Sequence, residues 1–292
     1  MHIAILANPD SWYARDLTRA ATERGHAVEV LPFRMLTAEV ATGESAVWGA
    51  GSPLSKADVV IVRTMPPGSL EQVVFRMNLL AQLEAQGVQV LNPSRAVECA
   101  VDKYLTTARL MAAGLPVPRT IVCETADAAL AAFETLGRDV VVKPLFGSEG
   151  RGILRVTDPD LALRVFHTLE RLQAVLYLQQ FVDHDGSDLR VMVLDGRVLS
   201  AMKRRGADGD FRTNVSRNGH AEPVELTDEQ RNWALRASAA VGTRVAGVDL
   251  LYDRRGRGHV IEVNGVPGWK ALRKVTGCDV ADEIIRSLER HT

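Results

Sequence analysis

The sequence predicts an α/β protein with about two domains, or three small ones. The chain has 292 residues, more than a single domain usually contains. Apolar strand patterns alternate with amphipathic helix patterns over the first ninety or so residues, which is typical of a parallel sheet. Near the C-terminal end, pairs of strand patterns flank short turns, which is typical of antiparallel hairpins.

The first 92 residues are expected to form an N-terminal α/β domain with a parallel sheet. Its first helix places Leu17, Ala20 and Ala21 on one face and ends at Gly25, because glycine readily adopts the conformation that closes a helix. Asn92-Pro93 interrupts the chain after the last strand. The predicted elements are strands 2–6, 28–31, 58–62 and 88–91 and helices 11–24 and 70–86.

Residues 93–183 are expected to form a central domain. Ser94 can cap a helix that runs to Ala113 and is ended by Gly114. A smaller α/β pattern follows, which is short enough to form a unit of its own. Its predicted elements are strands 120–123, 140–143, 153–156 and 175–180 and helices 127–136 and 159–172.

Residues 184–292 are expected to form a C-terminal domain with antiparallel strands. Asp195-Gly196 is a favourable turn for a first hairpin. Thr227 and Gln230 form a capping-box pattern for a helix that reaches Val241. A second hairpin pattern follows this helix.

Composition and charge argue against several classes of protein. Apolar residues make up 46% of the chain, charged residues 24%, and the formal net charge is −1, which does not suit a general nucleic-acid binder. No apolar run reaches the roughly 18 residues that cross a membrane, and the chain begins with a strand pattern rather than a signal peptide. Cys99, Cys123 and Cys278 fit neither a disulfide framework nor a zinc site. We therefore expect a cytoplasmic protein that binds neither nucleic acid nor membrane.

The most informative feature is the second hairpin, residues 247–252 and 260–264. Asp249 and Glu262 lie almost symmetrically about its turn and should face each other, and Asn264 should project from the same face. Two facing carboxylates repel unless a cation lies between them. Three oxygen donors without a nearby His or Cys favour Mg²⁺, which commonly also binds nucleotide phosphates. The alternative is a pair of solvated carboxylates, which fits the apolar flanking residues less well.

Lys143 ends a strand pattern and precedes a glycine-rich segment, Gly147–Gly152. Glycines allow backbone N–H groups to approach phosphate oxygens, and Ser148 adds a hydroxyl donor. The lysine would supply a point charge for a phosphate. The segment is neither a Walker loop nor a dinucleotide fingerprint, so a plain turn beside a surface lysine remains the alternative.

A group of cationic side chains follows Asp188. Asp188 and Arg190 share one face of a strand, and counting back from the Asp195-Gly196 turn places Arg205, rather than Arg204, beside Arg190. An exposed cationic loop is the simpler interpretation of this group alone. Combined with Lys143 and the acidic hairpin, the group indicates a site for phosphoryl or carboxylate groups. The donors beyond the turn are Lys203, Arg204, Arg205, Arg212, Thr213, Asn214, Arg217 and His220.

Taken together, these motifs resemble the ATP-grasp ligases, and within them the RimK-like α-L-glutamate ligases. The resemblance covers nearly the whole chain and depends on nine short motifs in the correct order. They are Asp102-Lys103, Val141–Lys143, Gly147–Gly152, Gln180-Phe181, Asp188–Arg190, Gly209–Asn214, Ala246–Asp249, Glu262–Asn264 and Pro267-Gly268. The family has three α/β domains, here assigned to residues 1–92, 93–183 and 184–292, with ATP between the last two.

The resemblance implies a role for each motif. ATP would be bound by Lys103, Lys143, Gln180, Phe181, Asp188, Arg212, Thr213 and Asn214, under a lid containing Gly147, Ser148, Gly150 and Gly152. Two Mg²⁺ ions, with Mn²⁺ as an alternative, would be bound by Asp249, Glu262 and Asn264. The acyl phosphate would be held by Arg190, Arg204 and Arg212, so the resemblance selects Arg204 rather than Arg205.

The implied reaction joins a carboxylate to an amine. A carboxylate of the acceptor attacks the γ-phosphate of Mg·ATP to give an acyl phosphate and ADP, and the amine of L-glutamate then forms the amide. The acceptor would be a small cofactor of the tetrahydromethanopterin or F420 type, or a protein C-terminus. RimK relatives are often oligomeric, so the resemblance also allows a homo-oligomer. Two alternatives are a ligase of the glutathione or D-Ala-D-Ala type and a non-catalytic nucleotide-binding module.

The chain departs from the family pattern at two places. Gln180 stands where the family usually has Glu. This change should matter little, because the family's hinge segment, here Gln180-Phe181, contacts adenine largely through its backbone. Asn264–Lys270 differs from the usual sequence around Pro-Gly, so the acceptor need not be the ribosomal protein tail. Trp269 could stack on the ring of a cofactor or simply pack in the core.

Overall fold

The structure is a computed structural model that describes residues 1–147, 151–206 and 220–290. Its N-terminal unit contains β1 (His2–Leu6), α1 (Trp12–Glu23), β2 (Ala27–Leu31), β3 (Leu36–Ala41), β4 (Glu44–Gly49), β5 (Ser52–Pro53), β6 (Val59–Val62), α2 (Leu70–Ala85) and β7 (Gln89–Leu91). A parallel sheet has the strand order β2-β1-β6-β7. The parallel sheet predicted for this part of the chain is therefore confirmed.

Strands β3, β4 and β5 form a separate antiparallel sheet that the sequence patterns did not indicate. Most of β3 is exposed, and the side chains that enter the core from these strands include Leu36 and Val47. The segment therefore lacks the continuous apolar run by which a buried strand is recognised.

The single helix predicted over residues 94–113 is wrong, because the chain forms two helices here. They are α3 (Ser94–Val101) and α4 (Lys103–Ala112). Asp102 separates them with an extended backbone, φ −93° and ψ 106°, and caps α4 by accepting a hydrogen bond from the Leu105 N–H at 2.9 Å. The apolar periodicity continues across this break and so hides it. The break places Lys103 in the first turn of α4.

The central unit has its own sheet, with the strand order β10-β9-β11-β8. Its elements are β8 (Thr120–Cys123), α5 (Ala126–Thr135), β9 (Val140–Lys143), β10 (Leu154–Val156), α6 (Pro159–Arg171) and β11 (Leu176–Gln180). Phe133 and Phe166 pack against each other in a core that belongs to this unit. Cys99 and Leu110, from α3 and α4, belong instead to the core of the C-terminal sheet. The exact domain boundaries stay a prediction.

The C-terminal unit contains β12 (Ser187–Leu194), β13 (Arg197–Arg205), β14 (His220–Pro223), α7 (Asp228–Val241), β15 (Val245–Tyr252), β16 (Gly258–Asn264), α8 (Lys270–Thr276) and α9 (Val280–Glu289). Its sheet has the order β14-β13-β12-β15-β16 and is antiparallel. Asp195 and Gly196 have φ values of 45° and 70°, as the predicted tight hairpin requires. The predicted capping box of Thr227 and Gln230 is also confirmed.

One face of the N-terminal sheet shares a hydrophobic core with the C-terminal unit. Ile5 and Ile61 pack in one cluster with Met192, Trp269 and Ile284. The two units therefore bury their apolar faces against each other, which is the main driving force for their association. Within the ranges that the structure describes, no helix is both long and apolar enough to span a membrane.

Asn92 links these two units at their junction. Its buried side chain donates to the carbonyls of Val245 at 2.7 Å and Gly265 at 2.5 Å, and accepts from the N–H groups of Arg244 and Val245, both at 2.8 Å. We expect Asn92→Ala to lower the free energy of unfolding by about 3 kcal/mol, because it leaves backbone groups without partners in the interior. Urea denaturation would measure this loss. Asn78→Ala, at an exposed site on α2, should change it by less than about 0.5 kcal/mol, and equal effects would contradict the prediction.

Candidate active site

The acidic hairpin formed by β15 and β16 has the predicted register. Asp249 pairs with Glu262, and Gly247 pairs with Asn264. The pairing shifts by one residue at Ile261, which lies between the partners of Asp249 and Leu250. Residues that pair directly share a face of the sheet, so the expectation that Asp249, Glu262 and Asn264 project together is confirmed.

Two arginines hold the carboxylate of Asp249. Arg190 donates from Nε and, at 2.9 Å, from Nη2, and Arg204 Nη2 lies 3.0 Å from Asp249 Oδ2. Arg204 also donates to both carboxylate oxygens of Asp188, at 2.7 and 2.5 Å. Burial alone would raise the pKa of Asp249, but the two guanidinium groups hold that pKa below its ordinary value. Asp249 is therefore an ionised carboxylate inside a buried cluster of charges.

A bulge in β13 decides which arginine joins this cluster. The pairing of β12 with β13 shifts at Leu199, so every later residue of β13 changes face. The expectation from simple counting, that Arg205 lies beside Arg190, is wrong for this reason. Arg204 faces the cluster, as the family resemblance implied, whereas Arg205 is exposed and its Nη2 lies 3.4 Å from Asp185.

Glu262 is the carboxylate of this group that is available to a cation. Among the described residues it forms neither a hydrogen bond nor an ion pair. Asn264 Oδ1 accepts from the Val266 N–H at 2.9 Å and has a second lone pair. No group of three or more His, Cys, Asp or Glu residues is arranged to hold a metal in the part of the chain that the structure covers. Together with the carboxylates of Asp249 and Glu262, the amide oxygen of Asn264 makes a set of three oxygens, which is the kind of donor that Mg²⁺ prefers.

Two lysines bring ammonium groups into the same region. Lys143, at the end of β9, donates to Gln179 Oε1 at 2.7 Å, and Lys103 donates to the carbonyl of Gly147 at 2.8 Å. Burial lowers the pKa of Lys143 to about 8 and also lowers that of Lys103, whereas the charge of Glu262 raises both. Both lysines are therefore poised to gain a negatively charged partner.

For the ATP-dependent reaction that the family resemblance implies, we expect kcat/KM for ATP to fall above about pH 8, because free Lys143 loses its charge there. The folded-state pKa lies below the ordinary value, so the cation that attracts phosphate is complete only at lower pH. Steady-state kinetics from neutral to alkaline pH would measure this fall. Lys143→Arg stays charged throughout this range and should move the fall to higher pH. A wild-type profile that stays flat to about pH 10 would contradict this role of the lysine.

Sequence reasoning missed Gln179, which orients Lys143. Its buried amide donates to Thr120 Oγ1 at 3.1 Å and to the Tyr177 hydroxyl at 3.2 Å. These bonds direct Oε1 toward the lysine. One signal was present in the sequence, because Gln179 shares the inward face of β11 with Tyr177 and is a polar residue in an apolar strand.

The segment Gln180-Phe181, predicted to lie along adenine, is held by its own backbone. The Gln180 N–H donates to the carbonyl of Arg119 at 2.8 Å, and the Phe181 N–H donates to that of Asp139 at 2.9 Å. The guanidinium of Arg155 lies 3.5 Å from the centre of the Phe181 ring. Hydrogen bonds from this segment to a ligand must therefore come from groups other than these two N–H donors.

Part of the predicted site lies outside the described residues. Gly147 and Gly152, at the two ends of the glycine-rich segment, have φ values of 144° and 72°, which L side chains rarely adopt. The predicted site residues outside the described ranges are Ser148, Gly150, Arg212, Thr213 and Asn214.

A cleft of about 370 Å³ between the units is lined by most of the predicted site residues. These are Lys103, Lys143, Gly147, Gln180, Phe181, Asp188, Arg190, Arg204, Asp249, Glu262 and Asn264. Gly152 does not line the cleft. The N-terminal unit contributes Tyr13 and Arg63, which the sequence did not indicate because nothing local connects them with the other motifs.

Comparisons with known proteins agree with this geometry. Models of the RimK PreATP-grasp domain and the RimK-like ATP-grasp domain match residues 1–97 and 100–288. The tetrahydromethanopterin:α-L-glutamate ligase of Methanosarcina acetivorans is 35% identical over 315 aligned positions, covering 97% of each chain. A probable α-L-glutamate ligase of Syntrophotalea carbinolica is 33% identical, covering 100% of this chain and 96% of its own. The solved structure of the ATP-grasp ligase PsnB with a minimal precursor has a TM-score of 0.79 at 23% identity, covering 99% of each chain.

A cleft with one lysine from a central antiparallel sheet, a second from the start of a helix and carboxylates from a C-terminal sheet defines an ATP-grasp protein. Within that class, the chain belongs to the RimK-like ATP-grasp family. The predictions of the ATP-grasp fold, the family and an ATP-dependent ligase are confirmed. The roles of individual residues stay predictions.

Proposed function

We infer that this ligase uses ATP to activate a carboxylate and joins it to the amine of L-glutamate. One observation carries the inference: Glu262 and two partly buried lysines, which respond to its charge, line the same cleft. Within the described ranges, a carboxylate without an ion-pair partner lies near ammonium groups bound only to neutral oxygens, which suits a ligand that is itself a metal–polyphosphate complex. The names of the two relatives support glutamate as the amine substrate.

Lys103 and Lys143 would bind the phosphates of ATP, with Gly147 and Gly152 at the ends of the segment over them. Both ammonium groups now donate to neutral carbonyl or amide oxygens, which a phosphate oxygen would replace with a stronger, charge-assisted bond. Phe181 and Gln180 would lie along the adenine, and Asp188 would face the nucleotide. The N–H groups of Gln180 and Phe181 already donate to protein carbonyls. Hydrogen bonds to adenine would therefore involve other donors and acceptors in this part of the cleft.

Glu262, Asn264 and Asp249 would bind two Mg²⁺ ions, or Mn²⁺ as an alternative. When bound, the ions neutralise the developing charge on the phosphoryl oxygens. The residues fit this function unequally, because Glu262 is unpaired within the described ranges whereas Asp249 is held by Arg190 and Arg204. We therefore propose Glu262 as the principal ligand, with Asp249 contributing an oxygen that remains hydrogen-bonded to the arginines.

The reaction would proceed in two steps. A carboxylate oxygen of the acceptor attacks the γ-phosphorus, the bond to the β-phosphate oxygen breaks, and ADP leaves an acyl phosphate. The amine of L-glutamate then attacks the acyl carbon, the amide forms, and inorganic phosphate and a proton are released. Arg190, Arg204 and Arg212 would stabilise the negative charge of the acyl phosphate. Positioning and charge neutralisation suffice, so no covalent enzyme intermediate is required.

The acceptor is proposed to be a small cofactor of the tetrahydromethanopterin or F420 type, or a protein C-terminus, which a peptide ending in glutamate represents in the test. The test is ADP release with Mg·ATP, L-glutamate and each acceptor, followed by mass spectrometry of the acceptor. Formation of ADP in step with a gain of one glutamyl residue would support the proposal. D-Glutamate and L-aspartate are matched controls, and turnover that requires another amine would move the chain to another ligase branch. Nucleotide binding without turnover for any pair would favour a regulatory module and contradict the proposal.

A further inference from the structure

Arg63 is a buried cation whose side chain has no polar partner among the residues that the structure describes. It follows β6, with its backbone N–H donated to the carbonyl of Leu6 at 3.0 Å. Arg63 is 8% exposed, and its buried Nε has no hydrogen-bond partner within the described ranges. Among the buried arginines of the described ranges, Arg190 and Arg204 bind carboxylates and Arg76 donates to a carbonyl. Arg63 has no such bond within those ranges, and an unpaired buried charge is costly.

Two aromatic rings fix the guanidinium of Arg63 in place. Its Cζ lies 4.6 Å from the centre of the Tyr13 ring and 4.7 Å from that of the Trp269 ring. Trp269 is 1% exposed and donates its indole N–H to Asp16 at 2.9 Å. A Cβ at Gly268 would lie 2.6 Å from the Tyr13 hydroxyl, so any larger residue there would require the Tyr13 ring to shift. Trp269 is therefore a packing residue, and the rings hold Arg63 without supplying an acceptor for its N–H groups.

Arg63 lines the cleft from the N-terminal wall. It lies beyond the carboxyl end of a parallel strand, where α/β sheets commonly bind ligands. Burial lowers its pKa to about 10, so the group is still a cation at neutral pH. The lysines proposed for ATP belong to β9 and α4, so the nucleotide phosphates have their own cations elsewhere in the cleft.

We propose that Arg63 binds a substrate carboxylate that does not react, forming a subsite on the N-terminal wall of the cleft. The planar fork of a guanidinium matches a carboxylate with two parallel hydrogen bonds. The substrates of the proposed ligase carry such groups, either on L-glutamate or on the acceptor. This assignment rests on the proposed function for the identity of the substrates, but the unpaired cation itself does not depend on it.

The test compares the wild type with Arg63→Met, which keeps the apolar stem between the rings and removes the charge. Calorimetry with L-glutamate, glutarate and a peptide ending in glutamate, each with and without Mg·ADP, measures binding without requiring turnover. We expect Arg63→Met to weaken at least one probe by about tenfold to a hundredfold and to leave the affinity for Mg·ADP unchanged. Loss confined to L-glutamate and glutarate would assign the subsite to the amine substrate, and loss confined to the peptide would assign it to the acceptor. Arg63→Lys should give an intermediate affinity, because it keeps the charge and loses the fork.

A structural role for Arg63 predicts different results. If the guanidinium served only to pack between the rings, Arg63→Met would lower the midpoint of thermal unfolding without ligand. We expect no such fall, because a side chain of similar volume replaces an unpaired buried cation. Arg34→Met, at an exposed site of the same unit, is the matched control. Equal affinities of wild type and Arg63→Met for all three probes would overturn the proposal, even if ADP release established the ligase. Conversely, Arg63-dependent binding without ADP release would support the subsite and contradict the proposed reaction.

Discussion

Replacing Glu262 by glutamine should lower kcat for ATP-dependent ligation by about 100-fold or more. The amide keeps the shape of the side chain but removes the unpaired negative charge proposed to bind the metal. It also removes the charge that raises the pKa of Lys103 and Lys143. The alkaline fall of kcat/KM for ATP should therefore move to lower pH in this variant. ADP release at saturating Mg·ATP measures the first effect, and its pH profile measures the second.

Glu124→Gln provides the matched control for this variant. Glu124 is exposed just after β8 and should tolerate the same chemical change with wild-type turnover. Wild-type activity in Glu262→Gln would exclude the proposed metal site. An inactive variant with an unchanged thermal midpoint would show that the loss comes from chemistry rather than from unfolding.

Replacing Arg204 by methionine should lower the free energy of unfolding by about 3 to 5 kcal/mol, because it leaves the buried carboxylate of Asp188 without this partner. Asp249 would retain Arg190 and lose its second guanidinium. The neighbouring Arg205→Met is an unusually close control, since the two positions differ by one residue and face opposite sides of β13. Its exposed contact with Asp185 should contribute less than about 1 kcal/mol. Urea denaturation of both variants measures the difference.

The difference between wild type and Arg204→Met should depend on pH. The folded-state pKa of Asp249 is lowered in the wild type, so its stabilising contribution is present above the unfolded-state pKa and is lost as pH falls. In the variant Asp249 keeps only the guanidinium of Arg190, so less of this pH-dependent contribution is present. The gap in unfolding free energy should therefore stay constant from pH 7 to about pH 4 and narrow as pH falls further, below the ordinary pKa of an aspartate. A gap that is constant with pH would point to lost packing rather than to lost charge pairing.

The parts of the fold and site that the sequence could predict depend on short-range pattern. The acidic hairpin is an example, because Asp249, Glu262 and Asn264 lie close together along two strands and the turn between them sets their register. The bulge at Ile261 did not affect the prediction, because Asp249 and Glu262 still lie opposite each other. The bulge at Leu199 made the count from the turn select Arg205 instead of Arg204, since one extra residue exchanges the two faces of a strand.

Other features depend on contacts between distant segments and had no local signal. Asp102 interrupts a helical pattern that continues on both sides, so its cap is visible only in the folded chain. Arg63 follows an ordinary buried strand, and its unusual state arises only where Tyr13 and Trp269 close around it. Gln179 gave only a weak signal, because its amide contacts Lys143, Thr120 and Tyr177, which lie on three different strands of the central sheet.

The core shared by the N-terminal sheet and the C-terminal unit limits which parts of this enzyme could fold separately. Cutting the chain after Asn92 would expose Met192, Trp269 and Ile284 to water and remove the side chain that satisfies Val245 and Gly265. The central unit packs around its own phenylalanines, so its core does not depend on the core that the other two units share. For protein engineering, the N-terminal and C-terminal units therefore form one indivisible part, and the central unit from β8 to β11 is the part to exchange.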